Sequence, residues 1–218
     1  MGAIARSAAN LITTSGVVLK GAVNNDSFDN VTALPSSIGD GITLISSQTA
    51  SASATISFTS GLDSTYKAYK FVFVNIHPSG SIYDFQFNGS TDGGSNYNVT
   101  KTSTAFRAAH NEAGTDTALG YNTADDLAQS TSFQKLSHVA IGNDNDYNLS
   151  GTLTLFNPSS TTYVKHFIAQ ASSTSDSGYI VNTFHAGYMN TTSAVNAIRF
   201  QMSGGNIDAG TIYLYGIK

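Results

Sequence analysis

The sequence predicts an all-β protein, built as an antiparallel β-sandwich with an extended N-terminal arm. The first observation is that strand-length segments rich in apolar and aromatic residues recur from residue 42 to the end of the 218-residue chain. The second is that clusters of Gly, Asn, Asp and Pro separate these segments at the short spacing typical of sandwiches. The third is that charged residues make up only 11% of the chain, so hydroxyl and amide side chains must provide the polar surface.

Residues 1–40 differ in character from the rest of the chain and predict an arm outside the sandwich. Apolar residues between Ile4 and Ile12 lie at helical spacing, but a helix of one or two turns is marginal alone and needs a docking surface. The isolated apolar residues that follow are typical of an extended arm laid across a surface. A flexible tail is the alternative interpretation. We therefore divide the chain into an N-terminal anchoring arm, 1–40, and a β-sandwich domain, 41–218.

The stretch Lys67–Asn88 carries the strongest strand signal and predicts a β-hairpin at the centre of the sandwich. Both alternating faces of its first arm, which ends at Ile76, are largely apolar, so we expect that strand to be covered on both sides. The sequence His77-Pro78-Ser79-Gly80 predicts the turn. The second arm alternates aromatic and polar residues and predicts a half-buried strand.

The remaining strands follow from the same patterns. The predicted strands are Ile42–Gln48, Ala54–Thr59, Lys67–Ile76, Ile82–Asn88, Tyr97–Thr102, Ala105–Ala108, Ser132–Ile141, Leu149–Phe156, Tyr163–Ala171, Tyr179–His185, Ala197–Met202 and Thr211–Ile217. Turn sequences such as Asp92-Gly93-Gly94-Ser95 and Ser203-Gly204-Gly205-Asn206 separate several of them. Thr123 followed by Asp126 predicts one short capped helical turn, and no other segment from Ile42 onward carries a helical signal.

Composition excludes several classes of function. The net charge of −4 and the pI of about 5.6 provide no basic surface for nucleic acid or for an anionic membrane. Cysteine is absent, which excludes disulfides, thiolate nucleophiles and Cys-ligated zinc. No segment approaches the roughly 20 apolar residues of a membrane span, and the N-terminus lacks the apolar run of a signal peptide. We therefore expect no nucleic-acid partner, no membrane insertion and synthesis in a cytoplasm.

Histidines and an acidic turn are the candidate metal ligands. His138, His166 and His185 fall in predicted strands and could form a metal site, but strand histidines more often make ordinary hydrogen bonds. The turn that contains Asp144 and Asp146 is rich in oxygen ligands, as calcium loops are, but lacks the Glu of an EF-hand. An Asx-rich hairpin turn is the favoured interpretation. Cation binding at this turn stays open.

Candidates for catalysis or sugar binding are equally few. Asp125 and Asp126 are adjacent carboxylates, but glycosidase carboxylates must flank a substrate, and stabilisation of a helix start explains this pair more simply. Exposed tyrosines could stack on sugars, and the candidates are Tyr83, Tyr97, Tyr121, Tyr147 and Tyr188. We predict no catalytic, cofactor-binding or metal-ligating residues, and no cofactor.

Several blocks of the sandwich domain resemble a known class of protein. They are Ala54–Ile76, Asp84–Phe87, Ser90–Tyr97, Phe156–Ser160 and Gly205–Ile217. From about Asn30 onward the chain resembles virion structural proteins of marine tailed bacteriophages, which are often described as tail fibre proteins. The resemblance implies a jelly-roll-like domain displayed on the virion and attached through its N-terminal arm. Such proteins are commonly trimeric.

Three functional hypotheses follow. The first is a non-enzymatic, homo-oligomeric fibre or adhesin subunit of the phage tail. Its arm docks on other virion proteins, and its loops Gly89–Asn96 and Asn111–Ser130 face the host surface, where a cell-surface glycan is a candidate ligand. The alternative is a capsid decoration or head-fibre protein with the same fold and arm. The third, a glycan-processing enzyme, needs a pair of positioned carboxylates that the sequence does not show.

Overall fold

The computed structural model describes residues 41–80 and 82–218, so the predicted anchoring arm, 1–40, lies outside the described residues. Twelve β-strands and no helix occur in the described part of the chain. The strands are β1 (Ile42–Thr49), β2 (Ile56–Phe58), β3 (Ala68–Pro78), β4 (Phe85–Ser90), β5 (Lys101–Asn111), β6 (Thr117–Tyr121), β7 (Gln134–Lys135), β8 (Leu149–Phe156), β9 (Lys165–Thr174), β10 (Tyr179–Met189), β11 (Ala197–Met202) and β12 (Ile207–Ile217). Across the described ranges, no helix is long and apolar enough to cross a membrane.

The strands form two antiparallel sheets that pack face to face, which confirms the predicted β-sandwich. The large sheet has eight strands in the order β1-β12-β3-β8-β9-β10-β5-β6, and the small sheet has four in the order β2-β11-β4-β7. Without the consecutive strand pairs β5–β6 and β9–β10, two four-stranded sheets remain, β1-β12-β3-β8 and β2-β11-β4-β7. Along the chain, these eight strands pass repeatedly from one sheet to the other, which is the arrangement of a jelly roll. The two inserted pairs extend only the large sheet.

The core lies between the two sheets and is dominated by aromatic rings. Phe200, on β11 of the small sheet, is fully buried and lies at the centre of the largest ring cluster. Its ring centroid lies between 5.1 and 6.3 Å from those of five other phenylalanines, Phe58, Phe71, Phe73, Phe85 and Phe87. Because edge-to-face and offset ring pairs stabilise beyond the area they bury, this cluster is the main contact between the sheets.

The predicted hairpin Lys67–Asn88 is wrong, because its two arms belong to different sheets. β3 pairs with β12 and β8 in the large sheet, whereas β4 pairs with β11 and β7 in the small sheet. The aromatic residues of the two arms face each other across the core, and the rings of Phe73 and Phe85 are 5.2 Å apart. Two strands that follow each other in the chain can bury their apolar residues by packing face to face across a core as well as by pairing edge to edge in one sheet. The second arm is more deeply buried than predicted: Phe85 and Phe87 are buried as expected and Gln86 is only partly exposed, but Asn88, Gly89 and Ser90 are buried as well.

The prediction that β3 is covered on both faces is also wrong for the described residues. Tyr69, Phe71 and Phe73 are buried in the core, while Val74 on the opposite face is 39% exposed. A register shift between Phe73 and Ile76 then returns Ile76 to the core. Asn75 has a φ of 52° and Gly210, on β12, has a φ of 112° at this irregularity. A Cβ on Gly210 would lie 2.5 Å from the backbone oxygen of Asn75, so only glycine fits there.

Most of the other predicted strands are confirmed, with three differences. β5 replaces the two short strands predicted at Tyr97–Thr102 and Ala105–Ala108. The predicted strand Ser132–Ile141 is reduced to the two residues of β7. β6 lies inside the segment predicted as a loop, because it pairs with β5 while four of its five residues stay exposed, so burial imposes no alternating pattern on its sequence.

The short helix predicted at Thr123 is absent. Residues 123–125 form a turn, in which the backbone N–H of Asp125 donates to the carbonyl oxygen of Asn122 over 3.3 Å. The side chain of Asp125 is buried against His138 and Lys135. Helix-dipole stabilisation therefore does not explain the adjacent carboxylates Asp125 and Asp126.

Candidate functional site

The largest exposed feature of the sandwich is the side of the large sheet that points away from the core, which we call the outer face. Because strand residues alternate between the two faces of a sheet, every second residue of each of the eight strands lies on it. Burial and register place these residues there: Ile42, Leu44, Ser47, Thr49, Thr211, Tyr213, Tyr215, Ile217, Ala68, Lys70, Val72, Val74, Ser150, Thr152, Thr154, Phe156, His166, Ile168, Gln170, Ser172, Thr174, Ile180, Asn182, Phe184, Ala186, Tyr188, Thr102, Thr104, Phe106, Ala108, His110, Thr117, Leu119 and Tyr121.

The outer face carries almost no formal charge. Among the residues given above, Lys70 is the single Lys, Arg, Asp or Glu residue, although the chain contains 24 such residues. The ionisable pair His77 and Asp208 lies at one end of this side of the sheet, where the Asp208 side chain is 51% exposed, and His110 and His166 are the further histidines on it. A monomer usually remains soluble through interspersed charges of both signs, and the outer face lacks them. This depletion is typical of the centre of a protein interface.

Large apolar side chains are exposed across the same surface. Nine of the eleven exposed large hydrophobic residues in the described part of the chain belong to the outer face. They reach from one edge strand to the other, as Leu44 on β1 is 53% exposed and Leu119 on β6 is 81% exposed. Between these edges lies Ile168 on β9, which is 55% exposed. Exposed apolar patches of several hundred Å² mark interaction sites in soluble proteins.

The size of the outer face matches that of an interface. Eight strands spaced about 4.8 Å apart make the sheet roughly 34 Å wide, and three to five outward residues per strand give an area on the order of 1,000 Å². A specific interface of standard size buries about 800 Å² on each partner. The outer face is therefore large enough to support a stable contact.

A row of aromatic residues lies at one end of the outer face. Tyr121, Phe106 and Phe184 are cross-strand neighbours on β6, β5 and β10. The rings of Phe106 and Phe184 stack with centroids 4.7 Å apart and planes 8° from parallel. The hydroxyl of Tyr121 donates to the Asp126 carboxylate over 2.7 Å, which raises the pKa of Tyr121. These contacts orient rigid aromatic side chains, the kind that anchor protein contacts.

The middle of the outer face is polar and slightly hollow. A depression of about 270 Å³ is lined by hydroxyl and amide groups of β8, β9 and β10, among them Ser150, Thr152, Gln170 and Asn182. Gln170 Nε2 donates to Asn182 Oδ1 over 3.3 Å. Such uncharged groups exchange hydrogen bonds with a partner or with bridging water at interfaces.

The three histidines considered as metal ligands are divided between two sides of the large sheet. His166 is exposed on the outer face, where its ring centroid lies 6.0 Å from that of Tyr188. His185 points into the core and is 2% exposed, and His138 follows β7 and contacts Asp125. No group of three or more metal-ligating side chains converges within residues 41–80 and 82–218. The three histidines therefore do not share a site.

An ionic network around the buried carboxylate of Asp125 links its turn to the small sheet. Asp125 contacts His138 Nδ1, and its other carboxylate oxygen lies 3.5 Å from Lys135 Nζ. Lys135 Nζ lies 3.0 Å from the carboxylate of Asp84 on the opposite side. Burial opposes the charge of Lys135, but the ion pairs with Asp84 and Asp125 raise its pKa. With one cation between two carboxylates, this network stabilises the connection around β7 instead of presenting a reactive group.

His185 lies close enough to this network for the charges of Asp125 and His138 to influence it. Both of its ring nitrogens are buried without a hydrogen-bond partner. Burial lowers the pKa of His185 to about 4 from an ordinary value of 6.5, against an opposing effect of Asp125. The imidazole is therefore neutral at physiological pH, and folding leaves two polar atoms without partners, which destabilises the native state.

Acid is expected to destabilise the domain through His185. The unfolded state takes up a proton near pH 6.5 but the folded state only near pH 4, so stability is complete above 6.5 and falls as pH decreases towards 4. The shift corresponds to about 3 kcal/mol. Urea unfolding at pH 7 and pH 4.5 should show a smaller loss of unfolding free energy in His185→Leu than in the wild type. His166→Gln, on the outer face, is the control, and an unchanged acid loss in His185→Leu contradicts this assignment.

The remaining sequence candidates lie on separate surfaces. Asp144 and Asp146 are exposed in the turn before β8. Contacts to their backbone carbonyl oxygens hold the turn in place. His77 Nε2 lies 3.2 Å from the carbonyl oxygen of Asp144, and the Thr174 hydroxyl donates to the carbonyl oxygen of Asp146 over 2.7 Å. Of the five candidate tyrosines, Tyr97 is buried under the guanidinium of Arg199. Tyr121 and Tyr188 lie on the outer face.

Sequence reasoning did not identify the outer face, although part of its signal was present. The apolar outward residues of β3 were noticed and assigned to a second covering layer. The pattern of a single strand cannot show that the mostly uncharged sides of eight strands lie together on one face of a sheet. A count of charges at alternate positions of the predicted strands would have detected this depletion.

Comparison with known proteins adds no relative from which a role could be inherited. No protein-family model, curated protein or solved structure matches the chain.

Proposed function

We propose that this chain is a non-enzymatic structural subunit of a tailed-phage virion, of the tail-associated fibre or adhesin type. In this role residues 1–40 anchor the subunit to other virion proteins, and neighbouring copies of the chain cover the outer face. The loops at the ends of the sandwich face the host surface. The sequence resemblance to phage virion proteins is the basis for the choice of particle.

The observation that carries this proposal is the outer face itself. It combines an area on the order of 1,000 Å² with few formal charges, Lys70 in its middle and Asp208 at one end, and with apolar side chains exposed from edge to edge. A second copy of the chain is a suitable occupant because the surface is uncharged, and two identical uncharged surfaces approach without electrostatic repulsion. The jelly-roll core provides the rigid platform that such contacts need.

Deletion of residues 1–40 is expected to abolish incorporation into particles while the sandwich stays folded. The described hydrophobic core lies entirely within residues 41–218, so the truncated chain retains what stabilises the domain. Quantitative mass spectrometry of purified particles, with circular dichroism of the isolated protein, checks both parts. The full-length chain is the control. If the truncated chain enters particles as efficiently as the full-length chain, residues 1–40 do not anchor the subunit.

Copy number distinguishes this proposal from a capsid decoration protein. A decoration protein would use the same fold, arm and outer face, but its copies would occupy shell positions in numbers set by icosahedral symmetry. The number of copies per virion, determined against a capsid protein of known stoichiometry, separates the two. A small number of copies on the tail supports the fibre or adhesin role.

A further inference from the structure

Lys101 and Asn88 form a buried contact between the two sheets that the proposed function does not require. Lys101 begins β5 in the large sheet, Asn88 lies on β4 in the small sheet, and both residues are 0% exposed. Lys101 Nζ donates to Asn88 Oδ1 over 2.6 Å and to the carbonyl oxygen of Val99 over 2.9 Å. A fully buried lysine normally has a carboxylate partner.

The surroundings of Lys101 favour a neutral amine over an ammonium. Within residues 41–80 and 82–218, no Asp or Glu oxygen lies within 4.0 Å of its Nζ. Two acceptors satisfy the two hydrogens of a neutral amine and leave its lone pair free, whereas an ammonium would bury a third N–H without a partner. Burial lowers the pKa of Lys101 to about 7. A large fraction of this side chain is therefore a neutral amine at neutral pH, which is the nucleophilic form.

The carboxamide of Asn88 is held in one orientation by three hydrogen bonds. Its Oδ1 accepts the backbone N–H of Gly89 over 2.8 Å as well as the Lys101 amine, and its Nδ2 donates to the carbonyl oxygen of Thr131 over 2.9 Å. The Gly89 N–H polarises the side-chain carbonyl and can stabilise negative charge on its oxygen during attack. The carbon Cγ lies one C=O bond, about 1.2 Å, behind the oxygen that Lys101 already contacts.

We propose that Lys101 and Asn88 react to form an intramolecular isopeptide bond that joins the two sheets. The lone pair of Nζ attacks Cγ and forms the Nζ–Cγ bond, and the negative charge that develops on Oδ1 is stabilised by the Gly89 N–H. A proton then passes from Nζ to Nδ2, the Cγ–Nδ2 bond breaks as the carbonyl re-forms, and ammonia leaves. An amine and a carboxamide become a secondary amide and ammonia, so the reaction needs no oxidant, reductant or further reactant.

The bond converts a hydrogen-bonded contact between sheets into a covalent one. It closes the segment between β4 and β5 into a ring and joins the two layers that otherwise meet through side-chain packing. A domain joined in this way resists separation of its sheets under force. The amide also removes the buried amine, and with it the buried ionisable group.

Intact mass spectrometry of the full-length protein tests the proposal directly. The expected mass is that of the sequence minus one ammonia, measured on fresh protein and again after prolonged incubation at neutral pH. Because no carboxylate of the described residues is close enough to transfer the proton, the reaction is expected to be slow, and the modified fraction should grow with time. Proteolysis should yield a branched peptide that joins Lys101 to Asn88. A full-sequence mass after incubation overturns the proposal.

Matched variants separate this reaction from other losses of ammonia. Lys101→Met and Asn88→Ala should each retain the full mass of their own sequence. Lys165→Met should still lose ammonia, because Lys165 is equally buried but its Nζ donates only to backbone oxygens of Tyr163 and Thr191. A succinimide at Asn88-Gly89 would lose the same ammonia, but it would persist in Lys101→Met and give no branched peptide. That result also overturns the proposal.

Discussion

Replacement of Phe200 by alanine is expected to destabilise the domain by about 3–5 kcal/mol, the usual cost of removing a large buried aromatic ring. The ring contacts five other phenylalanines from both sheets, and the residue is 0% exposed. Its removal leaves a cavity that the surrounding strands can fill only in part. Urea unfolding followed by fluorescence or circular dichroism measures the free energy of unfolding.

The control for Phe200 is Tyr163→Ala, outside the outer face. Tyr163 is 71% exposed and lies in the connection between β8 and β9, so its loss is expected to cost about 1 kcal/mol or less. If the two substitutions destabilise the protein equally, Phe200 is not the centre of the contact between the sheets. A cost below about 1 kcal/mol for Phe200→Ala would lead to the same conclusion.

Introduction of a charge at Ile168 is expected to weaken assembly strongly without unfolding the subunit. Ile168 is 55% exposed in the isolated sandwich, so Ile168→Glu should change the free energy of unfolding by about 0.5 kcal/mol or less. In an assembly that covers the outer face, the same change buries an unpaired carboxylate. That costs about 3 kcal/mol or more, or about a hundredfold in affinity. Light scattering after size exclusion gives the oligomeric state of both proteins.

The matched control for Ile168 is Tyr163→Glu. Tyr163 is also a large exposed side chain, at 71%, but it lies in the connection between β8 and β9 and outside the outer face. This variant should assemble as the wild type does. Equal weakening of assembly by both substitutions would show a general effect of the added charge. A wild-type chain that stays monomeric at micromolar concentration would contradict the proposed homo-oligomer.

The sequence predicted the strands better than their partners. Strands with a strong pattern, such as Leu149–Phe156 and Ala197–Met202, have the predicted bounds, because alternation of apolar residues reports burial directly. It does not report which sheet a strand joins. β3 and β4 were therefore predicted as a hairpin, although the short connection after Pro78 crosses to the other sheet. β6 was missed because four of its five residues are exposed, so its pairing with β5 leaves no alternating apolar pattern in the sequence.

The candidate sites show the same limit at the level of side chains. His138, His166 and His185 carry equal weight in the sequence, and only the fold reveals that His166 faces away from the other two. The contact between Lys101 and Asn88 brings together two residues from different sheets, and nothing in their spacing marks either of them as reactive. Charge depletion of the outer face is a sum over eight strands and becomes visible only once their order is known.

The most direct test of the account is a cryo-EM map of intact particles in which this chain and its neighbours are resolved. We expect few copies on the tail, with residues 1–40 held by another virion protein. We also expect the outer face, including Ile168 and Phe106, to be buried against neighbouring copies of the chain. A map in which the chain is present but its outer face is open to solvent would contradict the interface, and absence of the chain from particles would contradict the proposed function.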